Sequence, residues 1–378
     1  MKKLLAERTK AIDSSGIRKI FSLAAEMESP VDLSIGQPDF DVPEPVKEAA
    51  KKAIDEGFNR YTVTRGLPEL REAVMERYRR RGVNAEDSFI VSGTSGGILL
   101  SFAVTLDPGD EIVIPDPYFV MYKHLANFLG AKPVYLDTYP DFKIRRDRLE
   151  ACMSEKTKVI MLNSPTNPTG AVMDWEEIRM VAEVARQYDL LVISDEIYDI
   201  FQYDSPARSI GEIYPKTLVL NGFSKFAAMT GWRVGYALGP RELIDAMVEV
   251  QQYSFVCAPS MAQRAALVAL ELDTTRQVDL YRRKRDMIYE GLKDRFDVRK
   301  SAGAFYSFPG TKSGQGDKFV EEAIKNNLLI VPGSVFSERG THFRISFASS
   351  ESELERGIEI LNRLADRFWG QKQADPGK

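Results

Sequence analysis

A lysine that follows a buried strand has the clearest chemical potential in this sequence. Lys225 comes shortly after the apolar run 217–220, which is typical of a buried strand. Burial disfavours a charged amine, so such a lysine can have a lowered pKa and act as a nucleophile. Ser224 and Arg233 add phosphate-binding groups nearby, and an amine beside a phosphate site suits pyridoxal phosphate, an aldehyde that lysine traps as a Schiff base. A loop lysine, with Arg233 in an ordinary ion pair, explains this segment equally well.

Three further segments also place polar residues directly after apolar runs. Residues 163–170 read Asn-Ser-Pro-Thr-Asn-Pro-Thr-Gly and follow a short Val/Ile/Leu-rich run. Residues 190–198 form a second such run, which ends with Asp195 and Tyr198. Residues 92–97 read Ser-Gly-Thr-Ser-Gly-Gly and lead from a strand into an apolar helix. Each segment is therefore expected to present polar groups at the end of a strand.

In this order, and together with the Ser-Lys…Gly-Trp-Arg-x-Gly segment, these motifs resemble the class I/II (aspartate aminotransferase-like) aminotransferases. This family belongs to the fold-type I pyridoxal phosphate enzymes. The resemblance extends from about Ser15 to about Phe368, and the combination of motifs is specific although each motif alone is weak. It implies an α/β fold: a large domain with a mostly parallel, seven-stranded type of sheet between helices, and a small α+β domain from the N- and C-terminal segments.

The resemblance implies catalytic roles for residues near the ends of these runs. Lys225 would hold the cofactor as a Schiff base and then act as the general base that moves the substrate proton. Asp195 would keep the pyridine nitrogen of the cofactor protonated, and its place at a strand end favours this role. Tyr198 and Asn167 would bind the phenolic oxygen of the cofactor. A helix N-cap or a surface acid is the alternative for Asp195, and without Lys225 and Asp195 the motif of Asn167 would be typical of a plain turn.

The glycine-rich turn and two residues of the lysine segment are candidates for binding the cofactor phosphate. Gly93, Thr94 and Ser95 open a helix, where free N–H groups and the helix dipole attract an anion. The resemblance implies that Ser224 and Arg233 complete this site. The turn matches neither the Gly-x-Gly-x-x-Gly fingerprint nor a Walker loop. A glycine-rich turn without a ligand is the alternative interpretation.

Other residues match family positions around the cofactor ring and the substrate. Phe119 stands where the family stacks an aromatic side chain on the ring, a position at which many relatives carry tryptophan. Arg344 matches the clamp on the substrate α-carboxylate, and arginine suits a bidentate grip on a carboxylate. Gly36 and Asn167 would lie against the same substrate. A core aromatic and an ion pair on a strand face are the alternatives for Phe119 and Arg344.

Two further residues bear on the substrate and on the assembly. Arg18 lies on a predicted N-terminal helix over residues 17–28, where it could bind a distal carboxylate or simply be solvated. Aspartate, alanine, aromatic and aminoadipate-type donors all remain open. Tyr61 matches the tyrosine that reaches the phosphate of the neighbouring subunit's cofactor. The resemblance therefore implies a homodimer with shared active sites.

The composition excludes several classes of function. The 378 residues carry a net charge of −4, so the chain lacks the basic character of a nucleic-acid-binding protein. The apolar runs are too short to span a membrane, and the N-terminus lacks a signal-peptide core. Cys152 and Cys257 offer no disulfide framework, which fits the cytoplasm. His124 and His342 are the only histidines and have no metal-ligand spacing, so we expect neither a metal site nor a Ser-His-Asp triad.

Short Val/Ile/Leu-rich runs alternate with helical segments from residue 88 onward. This alternation is typical of an α/β protein with a mostly parallel sheet that is covered on both faces. Residues 232–238 are expected to add an antiparallel strand. A small α+β unit follows, with predicted strands over residues 303–308, 328–331 and 342–347 and helices over 318–326 and 350–368.

We predict four regions along the chain: an N-terminal arm, a large cofactor-binding domain, a small C-terminal domain and a disordered tail. They cover residues 1–40, 41–285, 286–370 and 371–378.

The expected function is transfer of an amino group from an L-amino acid, aspartate or a related donor, to a 2-oxo acid. The resemblance implies 2-oxoglutarate as the shared acceptor and a ping-pong reaction through the Lys225 Schiff base. A pyridoxal phosphate-dependent C–S β-lyase of the same fold would share almost every cofactor residue and is the alternative. A non-catalytic regulatory or binding protein on this fold is a second alternative, but no helix-turn-helix segment or basic extension precedes the domain.

Overall fold

The computed structural model of the protein describes residues 4–12 and 27–369. The strands of this part of the chain are β1 (Val31–Asp32), β2 (Asp87–Val91), β3 (Glu111–Asp116), β4 (Lys132–Asp137), β5 (Thr157–Asn163), β6 (Leu191–Asp195), β7 (Thr217–Gly222), β8 (Gly235–Gly239), β9 (Tyr306–Ser307), β10 (Leu328–Leu329), β11 (Val331–Pro332) and β12 (Phe343–Ser346).

Eleven α-helices lie between or after these strands in the described part of the chain. They are α1 (Glu44–Asp55), α2 (Pro68–Arg79), α3 (Gly93–Thr105), α4 (Val120–Leu129), α5 (Arg146–Glu150), α6 (Trp175–Gln187), α7 (Arg241–Gln252), α8 (Ser260–Ala269), α9 (Thr275–Leu292), α10 (Gly316–Lys325) and α11 (Glu351–Phe368). Local signals explain several of the starts: Pro68 occupies the first turn of α2, and Asp174 and Glu177 form a capping box at α6.

Seven strands form the central sheet in the order β2-β8-β7-β6-β5-β3-β4. Only β8 runs against the others, antiparallel to both β2 and β7. This arrangement confirms the predicted α/β fold class, including the predicted antiparallel strand. Every residue of β2, β7 and β8 is buried, as expected for a sheet with helices on both faces.

The two faces of the sheet carry separate apolar cores. Ile112 and Ile114 of β3 pack into a cluster with residues of α3, α4 and α7. Val113, between them, belongs to a second cluster that includes residues of α6. Alternate side chains of a strand point to opposite faces, so each strand contributes to both layers. The sheet is thereby held in place from both sides, and its strand ends form a fixed edge for a site.

Two small sheets use strands from near both ends of the described chain. β1 pairs with β10, and β11, β12 and β9 form an antiparallel sheet. The prediction of one strand over residues 328–331 was wrong, because this stretch divides into β10 and β11, which pair in different sheets. The strand predicted over residues 303–308 is only β9, since Ala304 has a φ of +54°, outside strand geometry.

Some predictions concern residues that the structure does not describe. Arg18, most of the predicted helix 17–28 and the tail 371–378 lie outside the described residues. The division into regions at residues 40, 285 and 370 stays a prediction.

Candidate active site

Three parallel strands end side by side at one edge of the central sheet. β5 ends at Asn163, β6 at Asp195 and β7 at Gly222, and Asn163 pairs directly with Asp195. Ligands of open α/β sheets bind at this carboxyl edge. A cavity of about 950 Å³ is lined by Asn163, Asp195, Lys225 and Arg344 among others. It is the candidate active site.

Lys225 reaches the cavity from the loop that follows β7. Its Nζ donates a hydrogen bond to the carbonyl oxygen of Gly36 at 2.7 Å. Burial lowers the pKa of Lys225 to about 8; the positive charges of Arg344 and Arg233 act in the same direction, and the Asp195 carboxylate opposes them. A useful fraction of the amine is therefore neutral near pH 7, as a nucleophile or a base requires.

Asp195 is buried at the end of β6, and two hydrogen bonds hold its carboxylate. The Tyr122 hydroxyl donates to Oδ2 at 2.8 Å, and the Ile197 N–H donates to Oδ1 at 3.2 Å. Burial raises the pKa of Asp195 to about 6, although both hydrogen bonds favour its ionised form. The carboxylate is thus fixed in position and well placed to bind a cationic group of a ligand.

Arg344 is a fully buried arginine whose hydrogen-bond partners are neutral. Nη1 donates to Asn167 Oδ1 at 3.1 Å, and Nη2 donates to the Ser34 carbonyl oxygen at 2.6 Å. The guanidinium lies 4.6 Å from the ring centroid of Tyr306 and 4.7 Å from that of Phe336. Nε has no hydrogen-bond partner among the described residues. A buried cation without a bound carboxylate is costly, and the arrangement suits an anionic ligand.

A pair of tyrosines lies beside Lys225 and Arg344: Lys225 Nζ is 5.6 Å from the ring centroid of Tyr198, and the Arg344 guanidinium contacts Tyr306. The hydroxyls of Tyr198 and Tyr306 are 2.9 Å apart, and burial raises the pKa of Tyr198 well above its ordinary value. Tyr198 therefore stays protonated and able to donate. A Cβ on Gly36 would lie 2.7 Å from the Tyr306 hydroxyl oxygen, so a side chain at that position would displace the tyrosine.

The start of α3 forms a cradle with an unsatisfied donor. Gly93 has a φ of +68°, and a Cβ there would lie 2.4 Å from Nη2 of Arg233, so the guanidinium rests against this turn. The buried Thr94 hydroxyl has no hydrogen-bond partner among the described residues. Ser95 and Ser224 line the same cavity. Free N–H groups, a hydroxyl and a guanidinium together suit a phosphate.

Comparison with known proteins shows the family to which the chain belongs. A model of the aminotransferase class I and II family matches residues 28–361. The chain belongs to this family. The probable aspartate aminotransferase of Methanocaldococcus jannaschii is 39% identical to it, over 96% of this chain and all of that protein. Aromatic-amino-acid aminotransferase 2 of Thermococcus litoralis is 36% identical, over 95% of this chain and 98% of that protein.

Solved structures show the same relationship. The structure of Thermus thermophilus aspartate aminotransferase with maleate matches this one with a TM-score of 0.92 and 35% sequence identity. The match covers 96% of this chain and 100% of the Thermus chain. This aminotransferase is therefore a pyridoxal phosphate-dependent transaminase of fold type I. None of the helices in the described part of the chain combines the length and the apolar character of a membrane span. The same residues include no group of three or more His, Cys, Asp or Glu placed to hold a metal.

Most of the site residues predicted for the aminotransferase line the cavity of about 950 Å³ described above. Gly93 lies beside it, against Arg233. Tyr61 is 82% exposed and is not part of the cavity lining, and Arg18 lies outside the described residues. The predicted residues that line the cavity are Gly36, Thr94, Ser95, Phe119, Asn167, Asp195, Tyr198, Ser224, Lys225, Arg233 and Arg344.

The sequence analysis did not single out Asn163, Tyr122 or Tyr306, which line the cavity of the aminotransferase and hydrogen-bond to predicted site residues. Asn163 donates from Nδ2 to the Asp195 carbonyl oxygen and accepts from the Asn167 N–H, both at 2.9 Å. Tyr122 follows Phe119 by three residues, and this helical spacing was the available signal. For Tyr306, no local sequence pattern distinguishes this residue from an aromatic residue of the core.

Proposed function

We propose that this aminotransferase moves the amino group of aspartate or a related L-amino acid to 2-oxoglutarate, in two half-reactions that both use Lys225. The observation that carries the proposal is the buried Lys225 amine, with a pKa of about 8, in one cavity with Asp195 and Arg344. These three groups supply a base, a partner for a cationic ring nitrogen and a clamp for an α-carboxylate. The set is what transamination requires.

The cradle at the start of α3 fits the phosphate of pyridoxal phosphate. The Thr94 hydroxyl, which lacks a partner among the described residues, would donate to a phosphate oxygen. The free N–H groups after Gly93 and the Arg233 guanidinium would neutralise its charge. Ser95 and Ser224 would supply further hydroxyl donors from the cavity lining.

Other lining residues fit the ring of the cofactor. Asp195 would bind the ring nitrogen, Asn167 and Tyr198 the phenolic oxygen, and Phe119 the face of the ring. When bound, the cofactor supplies an electron sink that makes the α proton of the substrate acidic. Asp195 suits its role because the Tyr122 and Ile197 hydrogen bonds hold the carboxylate in one orientation.

Lys225 is proposed to carry the proton during each half-reaction. Nζ would take the proton from the substrate α carbon and return one on the way to product. The lowered pKa of the amine supports this role, because a base works best when its pKa lies near the working pH. Tyr198 remains protonated at that pH and would orient the phenolic oxygen without taking part in proton transfer.

Arg344 is proposed to bind the α-carboxylate of the substrate, beside the backbone of Gly36. Among the described residues, the lysines and arginines that line the cavity are Lys225, Arg233 and Arg344. A second carboxylate on the substrate would therefore need another cation, and Arg18 is the proposed one. Relatives named aspartate aminotransferases, and the relative solved with the dicarboxylate maleate, support aspartate-type donors.

A homodimer with shared sites is part of this proposal. Tyr61 is 82% exposed and Arg233 is also exposed, although both are proposed to serve the phosphate. A tyrosine that reaches the partner's cofactor would be exposed in a single chain and covered in the dimer. Sedimentation of the cofactor-loaded protein measures this state directly.

The test of the proposed function is the absorbance of the cofactor-loaded enzyme with single amino acids and no oxo acid. We expect stoichiometric conversion of the pyridoxal form to the pyridoxamine form, and recovery of the first when 2-oxoglutarate is added. Comparison of aspartate, alanine, phenylalanine and 2-aminoadipate identifies the donor class. If the pyridoxal form persists while pyruvate and ammonia accumulate from cystathionine, the protein is a C–S β-lyase and the proposal is wrong.

The rate at which the apoprotein takes up pyridoxal phosphate should depend on pH. Only a neutral Lys225 can attack the aldehyde, and its pKa is about 8. At pH 7 about one-tenth of the amine is neutral, so the rate should be about tenfold lower than at pH 9. Stopped-flow absorbance at a series of pH values measures it. A midpoint near 10.5, the ordinary lysine value, would contradict the environment assigned to Lys225.

Replacing Tyr122 with phenylalanine should lower kcat about tenfold, the effect of losing one hydrogen bond to a charged group. This hydrogen bond favours ionised Asp195, so its loss raises the pKa of Asp195 and the defect should be larger at pH 6 than at pH 8. The pH profile of kcat measures both effects. Tyr118→Phe is the matched control, since that hydroxyl donates to Glu338 instead. Equal defects in both variants would contradict the role of Tyr122.

A further inference from the structure

A second buried carboxylate lies immediately after Asp195 and is not part of the cavity lining. Glu196 is only 2% exposed, and three hydroxyls donate to its carboxylate. Ser194 and Ser209 donate to Oε1 at 3.1 and 2.6 Å, and Tyr78 donates to Oε2 at 3.2 Å. This degree of satisfaction shows that the Glu196 carboxylate has a well-defined position.

The Tyr78 hydroxyl links this carboxylate to the neighbouring strand. It accepts a hydrogen bond from Asn221 Nδ2 at 2.9 Å while it donates to Glu196. Asn221 lies in β7, four residues before Lys225, and Glu196 lies directly after the end of β6. One hydroxyl therefore joins the segment that carries Asp195 to the segment that carries Lys225.

Arg81 fixes the other side of the same segment. Nη1 lies 2.7 Å from Asp199 Oδ2, and Nη2 lies 3.7 Å from Glu196 Oε2. Its two partners flank Tyr198 in the sequence. Among the described residues, the charged groups that act on the Glu196 carboxylate are Arg81 and Asp199, and Tyr78 is the neighbouring titratable hydroxyl.

The ionised form of Glu196 costs stability. Burial raises the pKa of Glu196 to about 7, although Arg81 opposes this shift. The folded protein thus holds a proton that the unfolded chain releases between pH 4.5 and pH 7, and stability falls as the pH rises through this window. Above pH 7 the fold therefore carries the buried charge of Glu196 at a cost in stability.

We propose that Glu196, Tyr78 and Asn221 form a positioning relay that fixes the Asp195–Tyr198 segment relative to the strand that leads to Lys225. The proposal rests on the proposed function, since these two segments carry the groups that act on cofactor and substrate. Glu196 and Tyr78 are positioning residues, because they act through Asp195, Tyr198 and Lys225.

The test uses the cofactor-loaded enzyme with Glu196→Gln and, separately, Tyr78→Phe. The glutamine keeps the shape of the side chain but removes its charge, and its amide nitrogen cannot accept the hydrogen bond that Tyr78 donates to Oε2. Arg81 keeps Asp199 as a partner. The phenylalanine removes only the bridging hydroxyl. Tyr214→Phe is the matched control, because that buried hydroxyl donates to the carbonyl oxygens of Ala185 and Leu190 in a core away from the cavity.

We expect kcat to fall about tenfold in both relay variants, with KM for the donor changed less than about threefold. The melting temperature of Glu196→Gln at pH 8 should fall no further than that of Tyr214→Phe, because loss of the buried charge offsets the lost hydrogen bond, and Tyr214→Phe should keep kcat within about twofold. If Glu196→Gln loses turnover and Tyr214→Phe keeps it at a similar melting temperature, the loss identifies positioning and excludes a merely structural effect. If Glu196→Gln keeps full turnover, or if its turnover falls only with its melting temperature, the relay is overturned.

A second readout separates the relay from the assigned reaction. The visible absorbance of the bound cofactor titrates with pH, and looser contacts from Tyr198 and Asp195 should move its midpoint by about half a unit or more. This shift is expected in both relay variants and not in Tyr214→Phe. It does not require turnover, so it tests the relay even if the donor experiment shows a lyase. An unchanged midpoint in both relay variants would contradict the proposal, and if Tyr78→Phe does not fold, Glu196→Gln decides alone.

Discussion

Replacing Lys225 with alanine is expected to lower turnover by at least about 10⁴-fold. The change removes the amine that is proposed to hold the cofactor and to move the α proton. Lys225 is the only lysine among the described residues that line the cavity, so no neighbouring amine can replace it. Steady-state kcat with an amino donor and 2-oxoglutarate measures the loss.

The control for this prediction is Lys216→Ala. Lys216 is an exposed lysine that pairs with Asp189 and lies just before β7, the strand that leads to Lys225. Its loss should change kcat less than about twofold. The Lys225→Ala apoprotein should still fold, because the pKa of Lys225 is depressed in the folded state. Its charged form therefore costs stability below pH 8, and this cost disappears as the pH rises toward 10.5. Turnover within tenfold of the unmodified enzyme would contradict the proposed mechanism.

Replacing Arg344 with lysine is expected to lower kcat/KM about 10²-fold for both the amino donor and the oxo acid. Lysine keeps the charge but cannot form the two parallel hydrogen bonds of a guanidinium with a carboxylate. Their loss is worth about 3 kcal/mol, which corresponds to about 10²-fold in rate. Because both substrates carry the α-carboxylate, the two half-reactions should suffer alike. Single-turnover kinetics of each half-reaction measure the two effects separately.

Arg285→Lys is the matched control for the Arg344 prediction. Arg285 is also a buried arginine, but its guanidinium is paired with Asp204 and Asp286 outside the cavity. Its replacement should lower the melting temperature and leave kcat/KM within about threefold. A similar kinetic defect in both variants would mean that Arg344 acts through stability and not as the carboxylate clamp.

Much of the central sheet could be predicted because its strands carry local signals. Short apolar runs at β3, β5, β6 and β7 alternate with amphipathic helices, and this pattern is typical of a parallel sheet. The order of the strands could not be predicted in the same way. β2 comes first of the seven in the chain and yet pairs with β8, the last, through Asp87 and Gly239. Such pairing depends on the packing of distant segments.

The residues of the candidate site also differ in whether a local sequence signal marks them. Lys225, Asp195 and Asn167 could be singled out because each stands in a motif after a buried run. Tyr306 could not, since its partner, Tyr198, lies 108 residues away in the sequence. A hydrogen bond between distant segments leaves no pattern in either segment.

The sequence by itself determined the family, the fold class and the residues that carry chemical groups, because these depend on residue types and spacing within single segments. Only the tertiary structure decided how the groups behave. Burial lowers the pKa of Lys225 and raises that of Asp195, and Tyr122, Ser34 and Tyr306 orient their neighbours. These effects depend on desolvation and on contacts across the fold, which arise only when strand ends and helices from distant parts of the chain enclose one cavity.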